Sequence, residues 1–493
     1  MVGMTSTAQA VETFDSLDPA TDAVVGTHPV HSADDVNAAV SRAREAAGWW
    51  DSLGFAGRAE RLRRWKGVVA RRMDELCAVV SAETGKPAGD AQLEVVLAVE
   101  HIEWAARNAR KVLGRQRRSP GLLMSNQAAT VEYQPLGVVG VIGPWNYPVF
   151  TPLGSISYAL AAGNAVVFKP SEYTPGVGRW LVDAFAEAVP EYPVFDLITG
   201  FGATGAALTR ADVDKIAFTG SAETGKKIMA TAAERLTPVI IEAGGKDPLL
   251  VDADADLDAA ADAAVWGAFS NAGQTCVGVE RVYAHTDIHE ALVDKVVERA
   301  KKVEPGSDYG PMTMPAQLDV VRSHITDALA RGGRALLGGT DAVGERYVRP
   351  TVLVDVPDHS EAVCRETFGP TVTITRVADM DEAVDKANDS TYGLGSTVFS
   401  KRRGTELARR LRTGQTAINA PLSFAGIASL PFGGIGDSGF GRIHGPEGLR
   451  EFARPKSIAR QRFPTPVALT TFARTRKTED AIRKLVTRLH GRR

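Results

Sequence analysis

An α/β fold with two open, doubly wound sheets is predicted by three observations. At 493 residues the chain exceeds one ordinary core, given a prior of roughly 150 residues per domain. Short β-rich runs alternate with helix-like stretches at about 25-residue spacing between Gly137 and Glu242, the pattern of a parallel sheet. A second set of such runs follows Gly245.

The elements follow in order. The first ~115 residues read as mostly helical. Arg58 to Val80 forms one long pattern, closed by Glu83-Thr84-Gly85-Lys86-Pro87, where Gly and Pro stop a helix. Val138 to Ile142, Ala165 to Phe168, Val194 to Ile198, Lys215 to Phe218 and Val239 to Ile241 are the strands of the first sheet. The Gly-x-x-Gly-x-x-Gly run from Gly137 to Gly143 sits before the strand rather than after it and is not a dinucleotide fingerprint. Asp254 to Ser270 is Ala-rich and helical; Thr371 to Arg376 and Gly395 to Phe399 suit strands of the second sheet. Joined at Glu242 to Gly245, two such sheets leave a crevice, and ligand sites favour crevices.

Composition excludes several classes. With 44% hydrophobic and 24% charged residues the chain reads as a soluble globular protein. A net charge of -2 leaves no footprint for nucleic acid. Cys77, Cys276 and Cys364 are too few and too scattered for a disulfide framework or a zinc site, so no metal is expected and a reducing compartment fits. Met1 to Val11 lacks the pattern of a secretory signal, and no run reaches the roughly 18 apolar residues of a spanning helix. The expected location is the cytoplasm. Residues 474–493 carry eight Lys and Arg against Glu479 and Asp480, with Ile482, Leu485, Val486 and Leu489 at helical spacing. This basic amphipathic helix either packs on its own or a neighbouring subunit or touches anionic lipid, a peripheral membrane contact.

The residues that can carry chemistry sit at strand ends and turns. Cys276 follows the polar turn Asn271-Ala272-Gly273-Gln274-Thr275, where a thiol is more easily exposed than on an apolar stripe; a lone Cys is otherwise a small core residue, the reading Cys77 receives. Glu242 ends a β-branched run ahead of Gly244 and Gly245, which permit φ > 0 and close backbone approach. Asn146, in Gly143-Pro144-Trp145-Asn146-Tyr147-Pro148, offers a rigid amide donor for a developing oxyanion, or simply an Asn turn. Lys169, Ser171 and Glu172 follow the next strand, where a dinucleotide's ribose hydroxyls are met; the alternative is a charged surface loop. Phe218 to Gly225, with Gly220, Ser221 and Thr224, runs from strand into helix and leaves free N–H groups for a pyrophosphate.

In order and separation these segments resemble the aldehyde dehydrogenase superfamily, from about Asp18 to Phe463. The resemblance also takes in Glu366-Thr367-Phe368-Gly369-Pro370 and Pro431-Phe432-Gly433-Gly434 through Gly441-Arg442. Leu430-Pro431-Phe432 followed by His444-Gly445 looks like the class 3 branch, which acts on aromatic and longer aliphatic aldehydes. Ala243 stands where Leu is usual, Arg365 where Glu is common, and the N-terminal part is longer than in that branch. The resemblance implies a cofactor domain (1–115 and 135–242), a catalytic domain (243–445), and a β arm (116–134 and 455–467) that joins subunits into a dimer or tetramer. It also implies a mechanism. Cys276 forms a thioester with the aldehyde carbon, Asn146 and the Cys276 N–H hold the oxyanion, and Glu242 activates water. Trp145, Lys169, Ser171, Glu172, Gly220, Ser221, Thr224, Gly244, Glu366 and Phe368 contact the cofactor. Glu172, facing the 2′-hydroxyl, prefers NAD, with NADP possible. Tyr147, Phe150, Thr275 and Val277 line the substrate path, and Gly154 leaves room in it. The rival readings are a CoA-acylating enzyme, which has less use for Glu242, and a non-catalytic protein that kept the fold.

Overall fold

A computed structural model describes residues 12–464 and 471–491. Met1 to Val11, residues 465–467 of the expected arm, and Arg492 and Arg493 lie outside them. The chain divides into two units, residues 1–113 with 135–454, and 114–134 with 455–493.

The first unit holds both expected sheets. The six-stranded sheet has the order Gly439–Phe440, Val239–Ala243, Lys215–Gly220, Val138–Ile142, Ala165–Lys169, Phe195–Leu197. All its pairs are parallel except the one between Gly439–Phe440 and Val239–Ala243. That pairing covers the sheet edge with a short strand from the far end of the chain, so the first sheet takes in residues beyond 242, and the implied 243–445 span is not all one layer. Its central strands are buried on both faces: Val138, Val139, Val166 and Val167 are fully buried, as expected of a parallel sheet under helices on each side. Each such side chain contributes about 1.5–3 kcal/mol.

The seven-stranded sheet runs Arg334–Leu337, Thr351–Val354, Thr371–Val377, Val279–His285, Asp247–Val251, Gly395–Phe399, Gln415–Ile418. Only the edge strand Arg334–Leu337 is antiparallel. The two sheets are linked by residues 244–246, between Val239–Ala243 and Asp247–Val251.

Four helices precede the first sheet: Ala33–Ser52, Gly54–Arg71, Met73–Thr84 and Ala88–Leu113. The single helix expected over 58–80 is two. Arg72 leaves helical geometry (φ -108°, ψ 27°), and its guanidinium binds Glu75 at 2.7 Å and Glu187 at 2.8 Å while lying 5.3 Å from the Trp180 ring centre. Tertiary contacts there outweigh helix propensity. Gly85 (φ 72°) ends the third helix in the left-handed cap that its sequence position suggests.

The second unit contains a three-stranded sheet of Ala453–Gln461, Gln127–Pro135 and Gln116–Arg118, and a C-terminal helix, Arg476–His490. Asn126 fastens the end of the outer strand, accepting from Arg462 N–H at 2.8 Å and donating to Phe463 O at 3.3 Å. Among the described residues no helix is long and apolar enough to cross a membrane.

Candidate active site

Cys276 is delivered by a strained turn. The helix Leu257–Phe269 ends at Ser270, and Asn271 (φ 52°), Ala272 (φ 56°) and Gly273 (φ 71°) then take left-handed conformations in succession. Two of these are not glycine, and each costs on the order of 1–3 kcal/mol, sustained only where surroundings impose it. Those surroundings are visible. A Cβ on Gly273 would stand 2.2 Å from the Gly369 carbonyl carbon. Gln274 donates to Asn271 O at 3.0 Å and accepts from Thr313 N–H at 2.9 Å. Asn146 Nδ2 donates to Gln274 O at 2.9 Å, and Asn271 Nδ2 donates to Asn146 O at 3.2 Å. The amide of Asn146 is thereby tied to the backbone two residues before the thiol.

Glu242, the penultimate residue of the strand Val239–Ala243, lies with Oε1 3.8 Å from Cys276 Sγ, and Thr219 Oγ1 donates to Oε2 at 3.3 Å. Burial raises the Glu242 carboxyl to about 7. Burial also pushes the Cys276 thiol up, and the Glu242, Glu366 and Asp247 carboxylates add to this, although Cys276 keeps a partly open face. The resting pair is therefore a neutral thiol beside a carboxyl near its midpoint at neutral pH, the pairing a general base requires.

Glu366 stands on the other side of Cys276. It accepts from Gly245 N–H at 3.0 Å, and burial, then the nearby Glu280, raise its carboxyl to about 8. A Cβ on Gly244 would lie 2.0 Å from Glu366 Oε1. Neither Gly244 nor Gly245 has positive φ, so close approach alone, and not a left-handed backbone, demands glycine here. The segment is held by groups the sequence reading did not single out. Glu280 accepts from Thr367 N–H at 2.9 Å and Phe368 N–H at 3.0 Å, pairs with buried Lys246, and Lys246 donates to Thr367 Oγ1 at 3.1 Å. Ser438 Oγ donates to Gly244 O at 2.7 Å.

Cys276 lies where two cavities meet. On one side a space of about 300 Å³ is bounded by Trp145, Asn146, Gly244, Cys276, Glu366 and Phe368; the rings of Trp145 and Phe368 meet edge-on at 5.6 Å. Beside it a cleft of about 480 Å³ is lined by Lys169, Ser171, Glu172, Gly220, Ser221 and Thr224, and Trp145 borders both. The helix Ala222–Ala233 opens into this cleft, its first turn capped by Ser221 Oγ accepting from Thr224 N–H at 3.3 Å. Unpaired first-turn N–H groups suit a phosphate, and the aromatic walls and buried carboxylate suit a ribose and flat ring. These residues fit a nicotinamide dinucleotide.

On the other side a cavity of about 250 Å³ is walled by Tyr147, Phe150, Thr275 and Val277 together with Trp266 and Phe432. Gly154 is not part of that wall. The room it leaves is taken by His444 and Ile443, whose Nε2 and Cδ1 would lie 2.5 Å and 3.1 Å from an added Cβ. The glycine makes space for these two side chains, which themselves border the cavity. His444 itself packs against His101 with ring centres 3.8 Å apart and the rings tilted by 43°, both fully buried, and burial holds both imidazoles neutral, His101 down at about 4.

A buried ion pair braces the Tyr147 side. Glu94 Oε1 accepts from Val149 N–H at 2.7 Å and Phe150 N–H at 3.0 Å; its Oε2 meets Lys86 Nζ at 2.6 Å. Lys86 lies 3.9 Å from the Tyr147 ring centre, and Tyr147 Oη is 3.0 Å from Thr275 Oγ1, next to the nucleophile. The signal for this was a charged residue on the buried stripe of the helix Ala88–Leu113, among Ala91, Val95 and Ala98.

The comparisons with known proteins agree with this geometry. Residues 5–458 match the profile of the aldehyde dehydrogenase family. A Mycobacterium ulcerans protein with the provisional name succinate-semialdehyde dehydrogenase 2, of the NADP(+) type, is 38% identical over 447 residues, 88% of this chain and 86% of that protein. Among solved structures, a Sinorhizobium meliloti NAD-dependent aldehyde dehydrogenase superposes with a TM-score of 0.88 at 34% identity, covering 93% of each chain. A Burkholderia pseudomallei succinate-semialdehyde dehydrogenase does so with a TM-score of 0.86 at 33% identity, covering 91% of this chain and 95% of the other.

Proposed function

Because this chain belongs to the aldehyde dehydrogenase family, we propose that it oxidises aromatic or medium- to long-chain aliphatic aldehydes to carboxylic acids through a thioester on Cys276. The observation that carries the proposal is the meeting of a dinucleotide-shaped cleft and an apolar cavity at one thiol. Glu242 takes the thiol proton as Sγ bonds to the aldehyde carbon. Asn146 Nδ2 and the Cys276 N–H receive the oxyanion. NAD(P), when bound, supplies the hydride acceptor, and loss of hydride from the carbon leaves the thioester. Glu242, having passed the thiol proton to solvent, then draws a proton from water, whose oxygen attacks the thioester carbon; the C–S bond breaks, and Glu242 returns that proton to the departing sulfur, releasing the acid and the thiol. A base 3.8 Å from the sulfur supports hydrolysis over transfer to CoA.

The substrate class rests on the cavity wall. A carboxylate-bearing aldehyde asks for a free cation in the cavity, and the only Lys or Arg bordering it among the described residues is Lys86, already paired with Glu94. For the cofactor, Ser171 donates to Glu172 Oε2 at 3.3 Å, orienting an acceptor for a 2′-hydroxyl that opposes a 2′-phosphate, and we infer NAD as the preferred partner with NADP second. The long outer strand of the arm, Ala453–Gln461, exposed along most of its length, supports assembly into a homodimer or homotetramer.

The test follows cofactor reduction with NAD and NADP across acetaldehyde to decanal, benzaldehyde and succinate semialdehyde, with Cys276→Ala as control. Turnover of the apolar aldehydes that vanishes in the variant is expected. Preference for succinate semialdehyde would overturn the substrate assignment, and turnover only with added CoA would overturn the hydrolytic step.

A further inference from the structure

The C-terminal helix Arg476–His490 buries none of its residues. At 100° per residue, Ile482, Leu485, Val486 and Leu489 form one stripe. Leu485, Val486 and Leu489 are exposed, as is Phe472 just ahead of the helix. The cations are not scattered around the remaining face. Lys477, Lys484 and Arg488 line one flank of the stripe, and Arg476 and Arg483 line the other, each roughly a third of a turn away. The two acids are engaged: Glu479 with Arg474 at 3.2 Å and Asp480 with Arg483 at 2.5 Å. Among the described residues Arg476, Lys477, Lys484 and Arg488 make no ion pair.

An apolar stripe between two rows of cations is the arrangement of a helix lying in a bilayer interface, its aliphatic side chains among acyl chains and its cations at phosphate level. A second copy of the chain fits less well. A 15-residue helix is about 22 Å long, and one such face covers a few hundred Å², against roughly 800 Å² per partner in a stable interface. The rest of the chain is net negative and would be repelled by an anionic surface, so attachment would depend on this segment. We propose that the Phe472 to His490 segment is an anionic-lipid binding surface that seats the enzyme peripherally on membranes. The proposal is independent of the chemistry at Cys276.

The test is co-sedimentation of the full-length protein with phosphatidylcholine vesicles with and without about 30% phosphatidylglycerol. Binding to the anionic vesicles only, weakened in about 1 M salt, is expected. With roughly a fivefold contribution per cation near the surface, Lys477→Glu, Lys484→Glu and Arg488→Glu together should reduce affinity on the order of 100-fold or more. The double variant Leu485→Gln, Leu489→Gln should weaken it independently of salt. Aldehyde oxidation in vesicle-free buffer, expected unchanged, reports that each variant is folded. Equal sedimentation with both vesicle types, or undiminished binding of the charge-reversed protein, would overturn the proposal. So would a failure to bind vesicles accompanied by a change of mass in light scattering, which would assign the face to a second copy.

Discussion

The two sides of Cys276 are built from different materials. The cofactor side leans on backbone, with Gly220 and Gly244, a helix N-terminus, and N–H groups fixed by Glu280 and Glu366, to which Trp145, Glu172 and Phe368 add side chains. The aldehyde side is made of side chains, Tyr147, Phe150, Trp266 and Phe432, propped from behind by the Lys86–Glu94 pair. Backbone geometry suits an invariant ligand, whereas a wall of side chains is redrawn by single substitutions. Binding on the two sides should therefore be separable.

The largest expected effect falls on the base beside the thiol that both sides share. Glu242→Gln should lower kcat by about 10²–10⁴ with cofactor affinity unchanged by fluorescence titration. In the native enzyme the rate should rise with pH through about 7, as the buried carboxyl becomes the base, and the variant should lose that limb. A native profile flat from pH 6 to 8 would count against Glu242 as the base.

Glu94→Gln comes next. Removing one partner of a buried pair costs about 3–5 kcal/mol, and here it also leaves Lys86 without its partner behind Tyr147. Denaturant titration should show the loss, and KM for aldehyde should rise while that for cofactor holds. Equal shifts in both would break the comparison.

Gly154→Ala should destabilise by about 1–3 kcal/mol through the clash with His444 and alter aldehyde chain-length preference only through the displaced His444, which borders the cavity; a narrowed preference with stability unchanged would place the glycine itself in the tunnel wall. The smallest effect is at Glu172, where Ala should shift the NADP/NAD ratio of kcat/KM about tenfold toward NADP and leave every aldehyde's KM unmoved.

How far the chain could be read follows the same division. The strands Val138–Ile142 and Val239–Ala243 were legible because buried parallel strands read as near-continuous β-branched runs. Cys276, Glu242 and Asn146 were legible because each terminates a local pattern, and the structure brings them together. Glu94, Glu280, Lys246 and Ser438 were not, since each sits inside a helix, a strand or a loop and acquires its meaning from a distant partner. Gly154 was misread for that reason: what fills the space beside a glycine is decided by Ile443 and His444, from the far end of the chain.

The left-handed run Asn271-Ala272-Gly273 sets stability against activity. Ala272→Gly would adopt the same conformation with less strain, yet it would also enlarge the range of shapes the loop can take. Selection for heat tolerance alone would favour whatever relaxes this loop, and the relaxed loop would hold its thiol less firmly. Directed evolution toward robustness should therefore run into a ceiling at residues 271–273, and variants that pass it should be sturdier proteins and poorer catalysts.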